Sequence, residues 1–382
     1  MAKVAVIGGG PAGLLAAREI CRRGLDLHIF EEDLEIGSPE RCGGLLSLRG
    51  LERISAPKPM KYVLNLIRGA IFHSPSGHEF KLDARRWVAA VISREKFDRM
   101  LSEEVEKMGG EISCGVRVRD VKRIGESFDL DLGDRRFSAD WVIDAEGMGS
   151  KLMRKILGFS TDRGRWIPII QLTAQGHGLD PSFVHLYFKE YLPDFFAYLI
   201  PLNEEVGRIG VATKLNGLEL RMRRFISEEF PRIKVLKRIS YAIYVGRPTW
   251  TELSKRFIPV GDAAGHVKAT TGGGVIMGGL ISMNMASAIS ELELGNDPNN
   301  YVREARRVYR ELKEIFHLRR LIENIPIKFY DTVFKLADEM SIEDYLRRFG
   351  DMDFQSTSLK NIIHSPETMV KMISSILPSL LK

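Results

Sequence analysis

Lys3-Val4-Ala5-Val6-Ile7-Gly8-Gly9-Gly10-Pro11-Ala12-Gly13 is the stretch on which the fold turns. Residues 3–7 predict a buried strand, Leu14 to Arg23 carry a helical pattern, and Leu25 to Phe30 predict a second strand. Gly8, Gly10 and Gly13 fall at the strand-to-helix turn with G-x-G-x-x-G spacing. The first glycine permits the tight turn, the second lets the backbone approach a pyrophosphate, and the third lets the helix pack closely on the strand. Free N–H groups at the helix start then face phosphates with a favourable dipole. Glu31 ends the second strand about twenty residues on, where a carboxylate accepts from ribose hydroxyls. It would repel a 2′-phosphate, so the expected dinucleotide is FAD or NAD, not NADP.

Outward from this unit, Phe97, Met100, Leu101, Val105 and Met108 repeat with helical spacing, with Ser93 as N-cap and Gly109–Gly110 as the stop. Strands are expected at Val116–Val121, Phe128–Leu132 and Trp141–Ile143. The chain then turns strand-like at Ile169–Thr173, Val184–Phe188, Phe196–Ile200, Arg208–Ala212 and Ser240–Val245, interrupted by a helix at Leu218–Glu229. Arg256–Val260 reads as another short buried strand, and everything after about Asp297 as helices rich in Arg and Lys. The expected fold class is α/β. A Rossmann-like nucleotide-binding domain (1–165 and 252–295) carries an inserted antiparallel-sheet substrate domain (166–251) and a helical C-terminal region (296–382). Residues 60–85 are a candidate addition to the substrate sheet.

Composition is compatible with this. At 382 residues the chain is long enough for two domains, and 44% hydrophobic with 28% charged excludes a disordered chain. Three scattered cysteines, Cys21, Cys42 and Cys114, cannot all pair and point to a reducing cytoplasm. The first strand begins almost at once, so no signal peptide is expected. Net charge is +6, the isoelectric point about 9.1 and the mean hydropathy −0.10. That balance permits contact with anionic lipid without demanding it, and no nucleic-acid partner is expected. Ala269 to Ser290 is uncharged and long enough to span a bilayer. Its glycines, serines and Asn284 read better as a glycine turn feeding a buried helix. His73 and His78 read as surface loop residues, and no metal-ligand spacing occurs.

A second signature selects the cofactor. Phe257-Ile258-Pro259-Val260-Gly261-Asp262-Ala263-Ala264-Gly265 is a hydrophobic strand ending in Gly-Asp and small residues. Here the chain resembles the glutathione-reductase-type flavoproteins, in the branch holding aromatic hydroxylases and geranylgeranyl reductases. The resemblance implies FAD, with Asp262 on its ribitol and Gly272, Gly273 and Gly274 beside the isoalloxazine. Successive glycine N–H groups there can stabilise the negative edge of reduced flavin. It also places Ala12, Arg41, Cys42, Gly43, Arg94 and Val118 at the cofactor, Arg94 on the pyrophosphate, although a surface arginine is the plain alternative. Ile143-Asp144-Ala145-Glu146-Gly147 departs from the usual Ala-Asp-Gly, and Glu146 is given no contact.

Two further motifs narrow the branch. Arg41-Cys42-Gly43-Gly44 and Pro193-Asp194-Phe195-Phe196-Ala197-Tyr198-Leu199-Ile200-Pro201 together resemble the geranylgeranyl reductase family, including the archaeal digeranylgeranylglycerophospholipid reductase type. Its members carry a Cys-Gly-Gly-like loop near the flavin and a P-x-x-Y-x-W-x-F-P substrate motif. Phe196, Tyr198 and Ile200 stand where Tyr, Trp and Phe are usual, and Lys268-Ala269 where many relatives have a proline. Alternate residues Phe196, Tyr198 and Ile200 project from one strand face, a wall suited to a prenyl chain, though ordinary sheet core has the same pattern. Cys42 is the candidate catalytic residue, as proton donor or gate, activated by the neighbouring Arg41; a buried structural thiol is the alternative.

The resemblance implies reduction of isoprenoid C=C bonds in geranylgeranyl chains of lipid precursors. The alternatives are a flavin monooxygenase or halogenase, although the W-x-W-x-I-P halogenase signature is absent, and a non-catalytic FAD-bearing lipid-binding protein. No second G-x-G-x-x-G and no C-x-x-C appear, so an external electron donor, reduced nicotinamide or a small redox protein, is expected. Met369, Val370, Met372, Ile373, Ile376, Leu377, Leu380 and Leu381 form an apolar helical stripe. It packs on its own protein or lies against a membrane surface. The expected location is cytoplasmic, with the inner membrane face as a further candidate.

Overall fold

The computed structural model describes residues 2–358. A five-stranded parallel sheet runs in the order Phe257–Pro259, Trp141–Asp144, Lys3–Ile7, Asp26–Phe30, Glu111–Ser113. Val6 lies opposite Ile143 on one side and Ile29 on the other. Val4 and Val6 face a core with Leu14, Leu15, Phe97, Leu101 and Met277. Ala5 and Ile7 face the opposite way, onto Val121, Phe128 and Leu130. Burial on both faces is why these strands read as continuous apolar runs.

Helices Pro11–Arg22 and Arg94–Lys107 cover the first face, and an antiparallel sheet of Asp120–Ile124, Ser127–Asp131 and Arg136–Ala139 covers the second. Ser93 caps its helix by accepting from Lys96 N–H at 3.3 Å, as its sequence position predicts. The expected strand Val116–Val121 is corrected: Val116 to Arg119 form none, and the strand is Asp120–Ile124. The Val116 N–H is taken by the Glu31 carbonyl at 2.8 Å and that of Arg119 by Asp131, so this run bridges the two sheets.

Helix Val275–Glu293 is long and apolar enough to cross a membrane, with a mean hydropathy of 1.4, yet 72% of that window is buried inside the protein. It packs between Pro11–Arg22 and Asn299–Ile322. That is a core helix fed by a glycine turn.

A seven-stranded sheet runs Lys234–Tyr244, Trp166–Gln175, Val206–Ala212, Ala197–Pro201, Phe183–Tyr187, Gly69–His73, Glu79–Asp83. Its pairs are antiparallel except Phe183–Tyr187 on Gly69–His73. Two strands from the 60–85 stretch thus join it. Val63–Ile67 instead pairs with Ala89–Ile92, which also pairs with Leu45–Ser47. Helix Leu218–Glu229 closes one face through Met222 and Phe225. His73 is a correction too. The strand reaches as far as His73, whose ring stacks on Tyr187 at 4.2 Å and shares a 2.9 Å hydrogen bond with His185. His78 lies in the loop that follows, more exposed than His73, beside Asp338.

After Asn299–Ile322 come Tyr330–Glu339 and Ile342–Phe349, and then 351–358 folds back over the parallel-sheet domain. The apolar stripe from Met369 to Leu381 lies outside the described residues.

Candidate functional site

A cavity of about 930 Å³ opens where the carboxyl ends of the parallel strands meet the free face of the seven-stranded sheet. Ligands in open α/β sheets bind at such an edge. Gly10, Ala12, Gly13, Ala145, Gly261 and Asp262 form its floor.

The floor is shaped for a dinucleotide. Gly8 has φ +102°, and a β-carbon there would lie 2.3 Å from the Ala145 carbonyl oxygen. A β-carbon on Gly10, by contrast, would meet nothing within 4 Å, so the chain is bare where phosphates would approach. Pro11 opens the helix, and no side chain caps it. Glu31 faces a smaller adjoining cavity of about 180 Å³, shared with Asp33, Glu40 and Asp98. Its carboxylate accepts from the Gly9 N–H at 2.5 Å and the Asp33 N–H at 2.8 Å, bracing the turn as well as lining the cavity.

Gly10, Arg41 and Arg94 line both cavities. Arg94 stands at that junction, doubly bonded to Asp98 at 3.1 and 2.8 Å. Burial pulls its pKa down, but Asp98 and Cys42 outweigh this and raise it, so the cation is firmly charged. Asp262 projects into the large cavity. Burial raises its carboxyl pKa, with Arg94 pulling the other way. Gly272, Gly273 and Gly274 line the same cavity; Gly274 precedes helix Val275–Glu293, also without a side-chain cap. These residues fit FAD: a bare phosphate cradle, a cation at the bend, a carboxylate for a polyol and a glycine edge. Val118 lines neither cavity, and its side chain packs into the core beside Phe128 and Leu130.

The Cys42 loop forms one wall. The sulfur accepts from the Gly44 N–H at 3.3 Å, and its nearby cation is Arg94 rather than Arg41, whose guanidinium sits 3.8 Å from Asp33. Facing the loop, Phe196, Tyr198 and Ile200 all line the cavity, while Ala197 and Leu199 turn into the core beneath. The alternation of the strand is therefore real. Tyr198 lies flat across Gly210, where a β-carbon would come within 2.1 Å of its ring.

Several site residues escaped sequence reasoning. Gln171 and Tyr241 complete a polar group with Tyr198 in an otherwise apolar wall. Arg208, buried, donates to the carbonyls of Gly43 and Ile92 and pairs with Glu40. An arginine in the apolar run Val206–Ala212 was the available signal. Lys268, also buried, pairs with Asp353 at 2.8 Å, and Ser47 donates to the same carboxylate. Glu146 accepts from Leu152 N–H at 2.8 Å, a helix-starting contact. Asp144 is held well above the usual carboxylate range by burial, with Glu146 adding to it.

A family model described as FAD binding domain matches residues 1–216. Among curated proteins, the digeranylgeranylglycerophospholipid reductase of Thermoplasma volcanium is 28% identical over 365 residues, 88% of this chain and 91% of the relative. Among solved structures, a geranylgeranyl bacteriochlorophyll reductase-like protein from Thermoplasma acidophilum superposes with a TM-score of 0.81, at 22% identity and 98% coverage of both chains. The p-nitrophenol 4-monooxygenase of Pseudomonas putida has the same fold, with a TM-score of 0.70, 16% identity, and coverage of 94% of this chain and 98% of the other. The cofactor is FAD, and the likeness to geranylgeranyl reductases carried by the Cys42 and Phe196–Ile200 motifs is upheld.

Proposed function

Since the chain belongs to the FAD binding domain family and is an FAD-dependent oxidoreductase, we propose that it saturates carbon–carbon double bonds in the prenyl chains of lipids, geranylgeranyl chains foremost. The observation that carries this reading is the shape of the large cavity. It joins the dinucleotide cradle directly to an apolar wall of Phe196, Tyr198 and Ile200. A long hydrocarbon has no polar handle near its double bonds, so a water-excluding channel must hold it by shape.

FAD bound here would supply the hydride, delivered by an external donor of the reduced-nicotinamide or small-redox-protein class. The chain's own residues do the rest. Gly10 N–H and Arg94 would hold the pyrophosphate, Asp262 the ribitol hydroxyls, and the Gly272–Gly274 backbone the flavin edge. Phe196 and Ile200 keep the alkene dry. The Cys42 sulfur, surrounded by the donors Gly44 N–H and Arg94, is presented as an acceptor. Of the two roles open to it, the gate fits better than the acid.

The test is anaerobic incubation of dithionite-reduced holoprotein with geranylgeranyl lipids, followed by mass spectrometry. The reading expects a gain of two hydrogens per reduced bond and reoxidation of the flavin without dioxygen. Reoxidation only when dioxygen is admitted, with oxygen built into the product, would favour a monooxygenase. The proposed setting is the cytoplasmic face of a membrane, tested by co-sedimentation with anionic liposomes.

A further inference from the structure

Tyr198, Tyr241 and Gln171 form a closed polar group in the apolar wall, and a channel that holds a hydrocarbon by shape has no need of its hydroxyls. The Tyr198 hydroxyl lies 2.7 Å from Gln171 Oε1, the Tyr241 hydroxyl 3.1 Å from the same oxygen, and the two hydroxyls are 3.0 Å apart. Gln171 Nε2 turns the other way and donates to the Cys42 carbonyl at 3.3 Å. Both tyrosines line the cavity; Gln171 stands behind them.

Their position decides what they can reach. A β-carbon on Gly43 would lie 4.0 Å from the Tyr198 hydroxyl, so the phenols abut the Cys42 loop on one side. On the other side Ile243, two residues from Tyr241 on the same strand face, packs where a β-carbon on Gly272 would meet it at 2.7 Å. The hydroxyls thus hang between the Cys42 loop and the glycine edge, where the flavin ring would lie. A buried hydroxyl group of this kind is retained only where its hydrogen bonds are satisfied or used.

We propose that Tyr241 is the proton donor to the reacting double bond, with Tyr198 and Gln171 positioning its hydroxyl. This rests on the prenyl-reductase reading. In the step, one alkene carbon takes a hydride from the reduced cofactor, which is thereby oxidised by two electrons. The Tyr241 hydroxyl turns its proton from Gln171 Oε1 to the alkene; the O–H bond breaks, the proton bonds to the other alkene carbon, and the C=C becomes C–C. The phenolate left behind accepts from Tyr198, whose hydroxyl swings from Gln171 Oε1 across 3.0 Å. Water then returns the proton. Burial raises the pKa of both phenols, with Arg208 pulling them back, so both stay protonated through neutral pH. Cys42 lines the same cavity, with its sulfur accepting from the Gly44 N–H.

The test uses FAD-loaded Y241F, Y198F and the parent, with two readouts. In the first, a phenol in contact with the isoalloxazine quenches its emission by electron transfer, which phenylalanine does not. Y241F should retain stoichiometric FAD and raise bound-flavin emission at least twofold. In the second, anaerobic single-turnover reoxidation by geranylgeranyl lipid should slow at least tenfold in Y241F and by a smaller factor in Y198F, with lipid affinity unchanged. Y241F reoxidised at the parent rate overturns the assignment, as does Y198F slower than Y241F. A parent that passes no electrons to prenyl lipid overturns the reaction itself, and the emission of Y241F still decides whether Tyr241 faces the flavin. Should Y241F lose FAD, Q171L carries the test: removing the shared acceptor should slow turnover, and an unchanged rate overturns the proposal.

Discussion

Arg208 Nη2 lies 2.8 Å from Glu40 Oε1, a buried ion pair that fastens the Cys42 loop to the antiparallel sheet. The same guanidinium donates to Gly43 O at 3.0 Å and Ile92 O at 3.1 Å, and Glu40 also accepts from Arg94 N–H at 2.9 Å. Removing one partner leaves the other charged and unpaired, at a cost of about 3–5 kcal/mol. R208M should lower the melting temperature accordingly and speed alkylation of Cys42 by iodoacetamide. A thiol that reacts at the parent rate would show that the loop is held by other contacts.

Asp262→Ala should weaken FAD retention by about 1.5–3 kcal/mol, the scale of a lost hydrogen bond to a charged group. Flavin content after dialysis against apoprotein-stabilising buffer measures it. Equal occupancy in variant and parent would remove Asp262 from the cofactor contacts.

Cys42→Ala should leave the flavin spectrum nearly unchanged and slow lipid reduction by less than Y241F does. A loss of about tenfold corresponds to about 1.4 kcal/mol in the barrier. Stopped-flow reoxidation of the two variants side by side gives the order. A larger loss at Cys42 would return the proton to the thiol.

Lys268 pins the returning segment through Asp353, and K268M would strand that carboxylate in the interior. The bond to the Met352 carbonyl at 3.0 Å goes with it. Residues 351–358 should then open to limited proteolysis, with cleavage appearing near Gln355 before the core is cut. A digestion pattern identical to the parent would mean that the Glu311 bonds to Ser356 and Thr357 suffice.

Burial holds His185 and His266 down to about 4, from an ordinary value of 6.5. Between those values the unfolded chain binds more protons than the folded one. Their contribution to stability is therefore whole above pH 6.5 and is lost as pH falls toward 4. Buried carboxyls with raised values act in the opposite sense, so the informative quantity is a difference between proteins. His266→Gln should flatten the fall in melting temperature between pH 6.5 and 5 relative to the parent; an unchanged slope would contradict the buried neutral imidazole.

The dinucleotide half was legible because its determinants are local. Gly8, Gly10, Gly13 and Glu31 act within one βαβ unit, and each does so through backbone geometry or a neighbouring N–H. The wall strand was legible too, since Phe196, Tyr198 and Ile200 obey a period of two. Gln171, Arg208 and Asp353 were not. Their partners lie far off in the chain, Cys42 for Gln171, Gly43 for Arg208 and Lys268 for Asp353, and no periodicity encodes such pairs. Val118 lies in the run joined to Glu31 through the Val116 N–H, a link that sequence spacing does not show, while its side chain belongs to the core of the small sheet.

The parallel pairing of Gly69–His73 with Phe183–Tyr187 means that the sheet lining the large cavity is stitched from two distant stretches of chain. No fragment shorter than residues 69–244 contains all of it. An exchange of residues 166–244 between homologues would graft five strands onto two that evolved against a different partner. Chimeras meant to transfer chain-length preference must therefore carry residues 69–83 along with the main insert, and libraries that recombine at the apparent domain boundary will mostly sample broken sheets.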